Sequence, residues 1–388
     1  MSGPRTPLAG LRVVELARVL AGPFAGQILA DLGADVIKVE SPEGDGTRQW
    51  GPPWIERDCE AQGEHGGERA AAYYHACNRG KRSVVADFAK AEDRAMVAAL
   101  CAGADVVIEN FKAGTLARFG LDYVSIARTN PRVVYCSVTG FGQDGPRREE
   151  PGYDFVIQGM SGLMAITGEP EGAPMKMGVS ISDLACGLYS VIAIQAALLM
   201  RERTGTGQHV DMALLDCSVS LLANQAMSFF ASGANPPRMG NAHAQVVPYG
   251  VYRTKDGEVV LAPANDKLFR ALMRVLGRHD MADDPRLADN AGRIANRAWM
   301  EAEIEREIAA WAMEPLLRHC RDAGVPAGPI NDCAAVFADP QVVARGMAIA
   351  PGGVPGLRSP FRFSDAELAL DRPSPRHGEH GADIEWRD

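Results

Sequence analysis

Between Lys176 and Arg201 the sequence reads KMGVSISDLACGLYSVIAIQAALLMR, an apolar run whose interior carries one formal charge, Asp183. A carboxylate at the mouth of such a run has two chemical uses. It can cap a helix, accepting free backbone N–H groups and meeting the positive end of the helix dipole. Ser180, Ser182 and Asp183 all stand where cap residues belong. It can also react, because a carboxylate among apolar neighbours is poorly hydrated and is a nucleophile toward activated acyl groups. The residues alone leave both uses open. A membrane span needs about 20 apolar residues. Here the uncharged stretch runs only from Leu184 to Met200, includes Ser190 and Gln195, and has no basic cluster beside it. A helix buried on all sides of a large globular domain is the expectation.

Basic side chains form two clusters. NRGKRS supplies Arg79, Lys81 and Arg82, and ENFKAGTLARFG supplies Lys112 and Arg118. Each could be a solvated face; together they favour an anionic, phosphate-bearing ligand without a P-loop. The total charge is nevertheless −9, which argues against nucleic acid or an anionic membrane as the main partner. The eight cysteines include no C-x-x-C pair, and the eight histidines no H-E-x-x-H. Neither a metal site nor a redox dithiol is expected, and the thiols read as reduced core filling in a cytoplasmic protein. MSGPRTPLAGLRVVEL has no signal-peptide character.

The elements that would position these groups follow from periodicity. At 388 residues, 46% hydrophobic and 23% charged, the chain suits a soluble protein of two domains. Strands are expected at 11–16, 35–40, 83–88, 104–111 and 132–142, with helices at 22–34 and 90–104. This alternation predicts an α/β, Rossmann-like parallel sheet with its ligand beyond the strand C-termini. An NAD-dependent oxidoreductase, with Glu40 on the ribose, is disfavoured because ARVLAGPFAG is not G-x-G-x-x-G. Residues 55–70 read as a polar surface loop containing His65. A smaller α+β domain is expected over 225–325, with a hairpin around Asp256-Gly257 and helices at 266–277 and 300–324, the latter interrupted near Pro315. The large domain would then comprise 1–224 and 326–388. Its polar tail reads as an ordered or partly ordered extension.

The chain resembles the class III CoA-transferases, a family that includes formyl-CoA, carnitine and succinyl-CoA–glutarate CoA-transferases and shares its fold with the alpha-methylacyl-CoA racemases. The matching stretches include NRGKRSVVADF, ADVVIENFKAGTLARFGLDY, CSVTGFGQDGP, GYDFVIQGMSGLMAITG, SDLACGLYSVIAIQAALL, RTGTGQHVDMALLD and MGNAHAQVVPYGVYRTKDG. The resemblance implies that Asp183 is the nucleophile, acting through an aspartyl–acyl anhydride and an aspartyl–CoA thioester. No prosthetic group is implied; CoA and acyl-CoA are substrates. It also implies a homodimer with interlocked chains.

By the same resemblance Val19, Leu20, Ala86, Asn110, Phe111, Lys112 and Arg118 bind CoA, Arg118 through phosphate. Tyr153 and Asp154 lie beside the reacting carboxylate, with Asp154 the rival nucleophile and more plausible as an organiser. Three positions depart from the formyl-CoA transferases: Leu20 stands for a Gln, Ser41 for an adenine-binding Arg, and Thr139 for a Lys. Their glycine-rich gating loop is also not visible, so formate and oxalate are unexpected substrates. WGPPW and MGNAHAQVVPYGVY resemble the succinyl-CoA–dicarboxylate branch, where Arg18, Arg48 and His243 are candidates for a second carboxylate. The implied function is transfer of CoA from a succinyl-CoA-like donor to a small dicarboxylic acid. A racemase would carry a base at Tyr153, and a tyrosine is a poor one at neutral pH. A non-catalytic acyl-CoA-binding protein is the non-enzyme alternative, disfavoured by the intact Asp183.

Overall fold

The computed structural model describes residues 6–57 and 68–387, in two compact units. The first unit holds six parallel strands: β1 (Arg12–Glu15), β2 (Asp35–Glu40), β3 (Arg82–Val85), β4 (Val106–Glu109), β5 (Val134–Thr139) and β6 (Gln208–Ala213). Their spatial order is β3-β2-β1-β4-β5-β6, that of a Rossmann-like sheet. The edge strand β6 is not among the strands expected from periodicity.

Short runs such as RVVE and VVIE are buried along nearly their whole length, as strands covered on both faces must be. Val13 joins a core with helix α1 (Ala21–Asp31), while Val14, its neighbour on the strand, packs with Val97 and Leu100 of helix α2 (Ala91–Ala102) on the other face. The apolar run forms helix α4 (Ile181–Thr204), preceded by the short helix α3 (Asp154–Met160) and followed by α5 (Leu214–Ser220). Cys186, Val191 and Ile194 of α4 enter the α1 core. The opposite face is open, with Ile192 60% and Leu199 70% exposed, so α4 is not buried on all sides as expected. Length and composition alone would let α4 cross a membrane.

Residues 165–175 and 235–339 form the second unit, which starts and ends later than the expected 225–325 and includes an earlier excursion. Strands Gly250–Arg253, Glu258–Leu261 and Ala327–Pro329 pair antiparallel, and helices Asp266–Val275, Arg297–Ile308 and Met313–Asp322 share their core. The break between the last two helices falls at 309–312, and Pro315 sits harmlessly in the first turn of the second.

The 55–70 segment is not simply a loop: Trp54–Arg57 and Glu68–Ala71 pair as an antiparallel hairpin. His65 and Cys59 lie outside the described residues. The tail is ordered against the β3 edge, where Arg82 donates to the Glu385 carbonyl and the Ser83 N–H to His380, and Arg48 of the 46–49 turn donates to the Pro375 carbonyl.

Beneath the sheet's C-terminal ends lies a closed cluster of charges. Lys38 Nζ sits 3.1 Å from Glu15 and 3.0 Å from Asp45, and Lys81 lies 2.7 Å from Glu15. Burial disfavours the Lys38 charge, but Glu15, Asp45 and Glu40 outweigh it and hold the ammonium ionised. Removing one member strands the others without water. Lys38→Met is therefore expected to lower stability by about 3–5 kcal/mol, read as an earlier urea midpoint, with partial recovery on adding Asp45→Asn.

Candidate active site

The strand order reverses between β1 and β4, so the segments leaving them diverge and open a crevice. Asn110 holds its walls together, accepting from the Arg18 N–H at 2.8 Å and donating to the Arg18 carbonyl at 2.6 Å. The next residue, Val19, has φ +71°, a left-handed conformation that costs a β-branched residue about 1–3 kcal/mol. Its N–H points at the Asp45 carboxylate, 3.3 Å away, which ties the strained turn to the buried charge cluster. Helix α1 starts directly afterwards, with Pro23 in its first turn.

Helix α4 can approach this turn because Gly187 faces α1. A Cβ there would lie 2.8 Å from the Ala21 carbonyl oxygen. At the end of β5, Gly140 passes so close to Gly152 that a Cβ on either would come within 2.5 Å of the other's Cα. This contact brings the 140–153 loop back over the sheet.

What caps α4 decides the role of Asp183. Ser180 is the N-cap residue but its side chain makes no capping bond. Asp154, from the first turn of α3, supplies the acceptor: its Oδ1 takes the Ser182 N–H at 2.9 Å, while Oδ2 accepts from Gln158 at 2.7 Å. Gln158 in turn accepts the Met177 N–H. Asp183, in the first turn of α4, has no hydrogen-bond or ion-pair partner among the described residues. The capping alternative for Asp183 is thereby set aside.

Asp183 is half-buried in a cleft of about 410 Å³ at the C-terminal ends of the strands. Arg18, Val19, Leu20, Asn110, Phe111, Lys112, Thr139 and Tyr153 line the same cleft. A smaller cavity of about 220 Å³ adjoins it over β1, β2 and β3, lined by Ser41, Ala86 and Phe88 and sharing Arg18 and Phe111. A larger cavity of about 650 Å³ lies at the other end of the sheet, by Gly10, Gly33 and Asp35, and contains none of the expected residues.

Arg118 lines neither cavity: it is exposed, over the Phe119 ring, which packs on Phe88 beside the second cavity. Arg48 is not placed to meet a substrate carboxylate. It is buried, ion-paired to Glu40 at 2.8 Å and bonded to the Tyr74 hydroxyl, so it has no face for substrate. This pair, with the Ser83 hydroxyl on Glu40, also leaves no ribose role for Glu40. His243 belongs to the second unit, where its Nδ1 accepts two backbone N–H groups. The NRGKRS cations are likewise internal, with Arg79 on Asp31, Lys81 on Glu15 and Arg82 on Asp35. Lys112 and Arg118 are exposed, and nothing local in the sequence separates them from the buried set. Trp50, Arg148 and Glu150, not among the expected site residues, also line the main cleft. WGPPW and the charge run RREE were the available signals. Among the described residues no cluster of three or more His, Cys, Asp or Glu could hold a metal.

Burial pushes the Asp183 carboxyl up to about 7, and the nearby Asp154 charge adds to the rise. The folded chain therefore retains a proton that the unfolded chain releases above the ordinary carboxylate range. That contribution to stability is complete below this range and is lost as pH rises through 7. Asp183→Asn is thus expected to melt at least about 2 °C above the unsubstituted protein at pH 8, with the gap narrowing by more than half at pH 5, in paired thermal scans.

Residues 8–381 match the CoA-transferase family III. The chain is 53% identical to the succinate–glutarate CoA-transferase of Agrobacterium fabrum, over 99% of this chain and 96% of the relative. It is 37% identical to the succinyl-CoA:mesaconate CoA-transferase of Haloarcula marismortui, over 96% and 92%. A crystal structure of a CAIB/BAIF family protein from Brucella suis superposes with a TM-score of 0.87 at 59% identity, covering 97% of this chain and 98% of that one.

Proposed function

We propose that this chain, which belongs to CoA-transferase family III, moves CoA from succinyl-CoA to a small dicarboxylic acid with Asp183 as the nucleophile. The observation that carries the residue assignment is the unpartnered, half-buried Asp183 carboxylate in the cleft. The relatives' succinate, glutarate and mesaconate substrates support the dicarboxylic class.

The reaction needs two kinds of exchange at one carboxylate. Asp183 attacks the thioester carbonyl; the C–S bond breaks, CoA thiolate leaves, and a succinyl–aspartyl anhydride forms. Thiolate then attacks the aspartyl carbonyl, releasing succinate and leaving Asp183 as a CoA thioester. The acceptor carboxylate attacks that thioester, expelling thiolate and forming a second anhydride. Thiolate finally attacks the acceptor's acyl carbon, which frees the Asp183 carboxylate. Each intermediate stays activated, so no nucleotide hydrolysis is required. Desolvation raises the energy of the carboxylate before attack, and Asp154 positions it through the α4 cap.

CoA would lie along the two adjoining cavities, with the thioester by Asp183 and the nucleotide toward Ser41 and Ala86. Val19, Leu20, Asn110 and Phe111 would line the pantetheine path, with Lys112 and Arg118 toward the phosphates. No prosthetic group takes part in this reading. Tyr153 occupies the position a racemase would give to a second base, and among the described residues no histidine lines the cleft. The open face of α4 supports a homodimer, since Leu188, Ile192 and Leu199 are exposed on one helix. The seven described cysteines, all free thiols, are in keeping with the cytoplasm.

Mass spectrometry of mixtures of succinyl-CoA with glutarate, mesaconate or itaconate should show a new acyl-CoA. Asp183→Ala should lower its formation at least ~1000-fold. An equally active Asp183→Ala protein would overturn the assignment. Only ionised Asp183 attacks, so kcat/KM should rise about tenfold per pH unit below 7 and level off above it. Light scattering should give twice the mass of one chain, and a monomer would count against the dimer.

A further inference from the structure

Two carboxylates on one substrate pose a problem the nucleophile does not solve. One end reacts at Asp183, and the other must enter the same cleft with its charge intact. Burying an unpaired carboxylate is costly, so the cleft needs a cation that the nucleotide does not occupy.

The cleft offers Arg18, Lys112 and Arg148. Arg18 also lines the second cavity, as does Phe111, the residue before Lys112; the Arg18 guanidinium lies over the Phe111 ring, 5.2 Å from its centroid. Both cations thus stand on the β1–β4 side, where the two cavities meet. Arg148 is elsewhere. It lies in the loop after β5, farther along the sheet, and shares with Asp183 the main cleft and not the second cavity.

Its neighbours leave it available. In the run RREE, Arg147 takes Glu150 at 3.0 Å, neutralising the other charged loop residue in the cleft. Among the described residues the Arg148 side chain keeps only a loose, exposed contact with Glu149 at 3.6 Å, the kind of surface pair that yields readily to another anion. A guanidinium also presents paired donors that match a carboxylate.

We infer that Arg148 receives the distal carboxylate of the dicarboxylic acid and so sets the preference for diacids over monoacids. This inference rests on the transfer to dicarboxylic acids proposed above. Calorimetric titration of CoA-loaded protein with glutarate and with valerate, a monoacid of the same carbon count, tests it without turnover. Arg148→Gln should weaken glutarate binding about tenfold or more and leave valerate unchanged, with Arg148→Lys retaining most of the affinity. Melting temperatures should be unchanged, because the side chain is exposed. Equal glutarate affinity in the unsubstituted and Arg148→Gln proteins would overturn the inference, as would no preference for glutarate over valerate. Succinyl-CoA turnover is read separately: Arg148-dependent glutarate binding without turnover would count against the transferase reading alone.

Discussion

One hydrogen bond, from the Ser182 N–H to Asp154, determines what the first turn of α4 can do. A helix start leaves backbone donors that must find acceptors, and a nearby carboxylate ordinarily takes them. Here the acceptor comes from α3, so the helix is capped without drawing on its own acid. The Asp183 carboxylate is left near the positive end of α4 without a hydrogen bond among the described residues, and burial together with the Asp154 charge raises its carboxyl to about 7. Two acids thus divide two duties that either could have performed: Asp154 is held by two hydrogen bonds, while Asp183 is held only by its helix.

The rigidity this division requires comes from below. The strained Val19 turn is secured from one side by Asn110 and from the other by Asp45, itself bound to Lys38. A left-handed valine persists only where its surroundings over-determine it. The buried ions do so at a considerable desolvation cost, which fits a role in fixing geometry beneath the crevice more than a role in adding stability.

Much of this arrangement was legible in the sequence, and the exceptions share a cause. Parallel strands announce themselves as short apolar runs, so β1 to β5 could be placed from VVE, DVIKVE, SVV, VVIE and VVYCSV. The edge strand β6 lacks that apolar run: QHVDMA alternates and is only partly buried, a weaker signal in six residues. Asp183 stood out because it is alone in an apolar run. The cations misled for the opposite reason: Arg48, Arg79, Lys81 and Arg82 look like surface residues, and only the fold brings Glu40, Asp31, Glu15 and Asp35 to them. Pairing of buried charges across 8 to 66 residues of sequence is not a local property. Nor was the open face of α4 readable, since a helix apolar all round gives no sign of which side its own chain covers.

The chain leaves the first unit for the last time after residue 234 and re-enters it at 340, and the tail then closes the β3 edge through Gly378, His380 and Glu385. During synthesis the sheet strands emerge early, yet their edge is sealed by segments translated after the whole second unit. The first-made half must therefore wait, partly assembled, while the later-made insert can complete its core as a block. Ribosome stalling or premature termination between 340 and 374 would release a chain whose small unit is whole and whose sheet still has a raw edge, the form most exposed to strand-to-strand association.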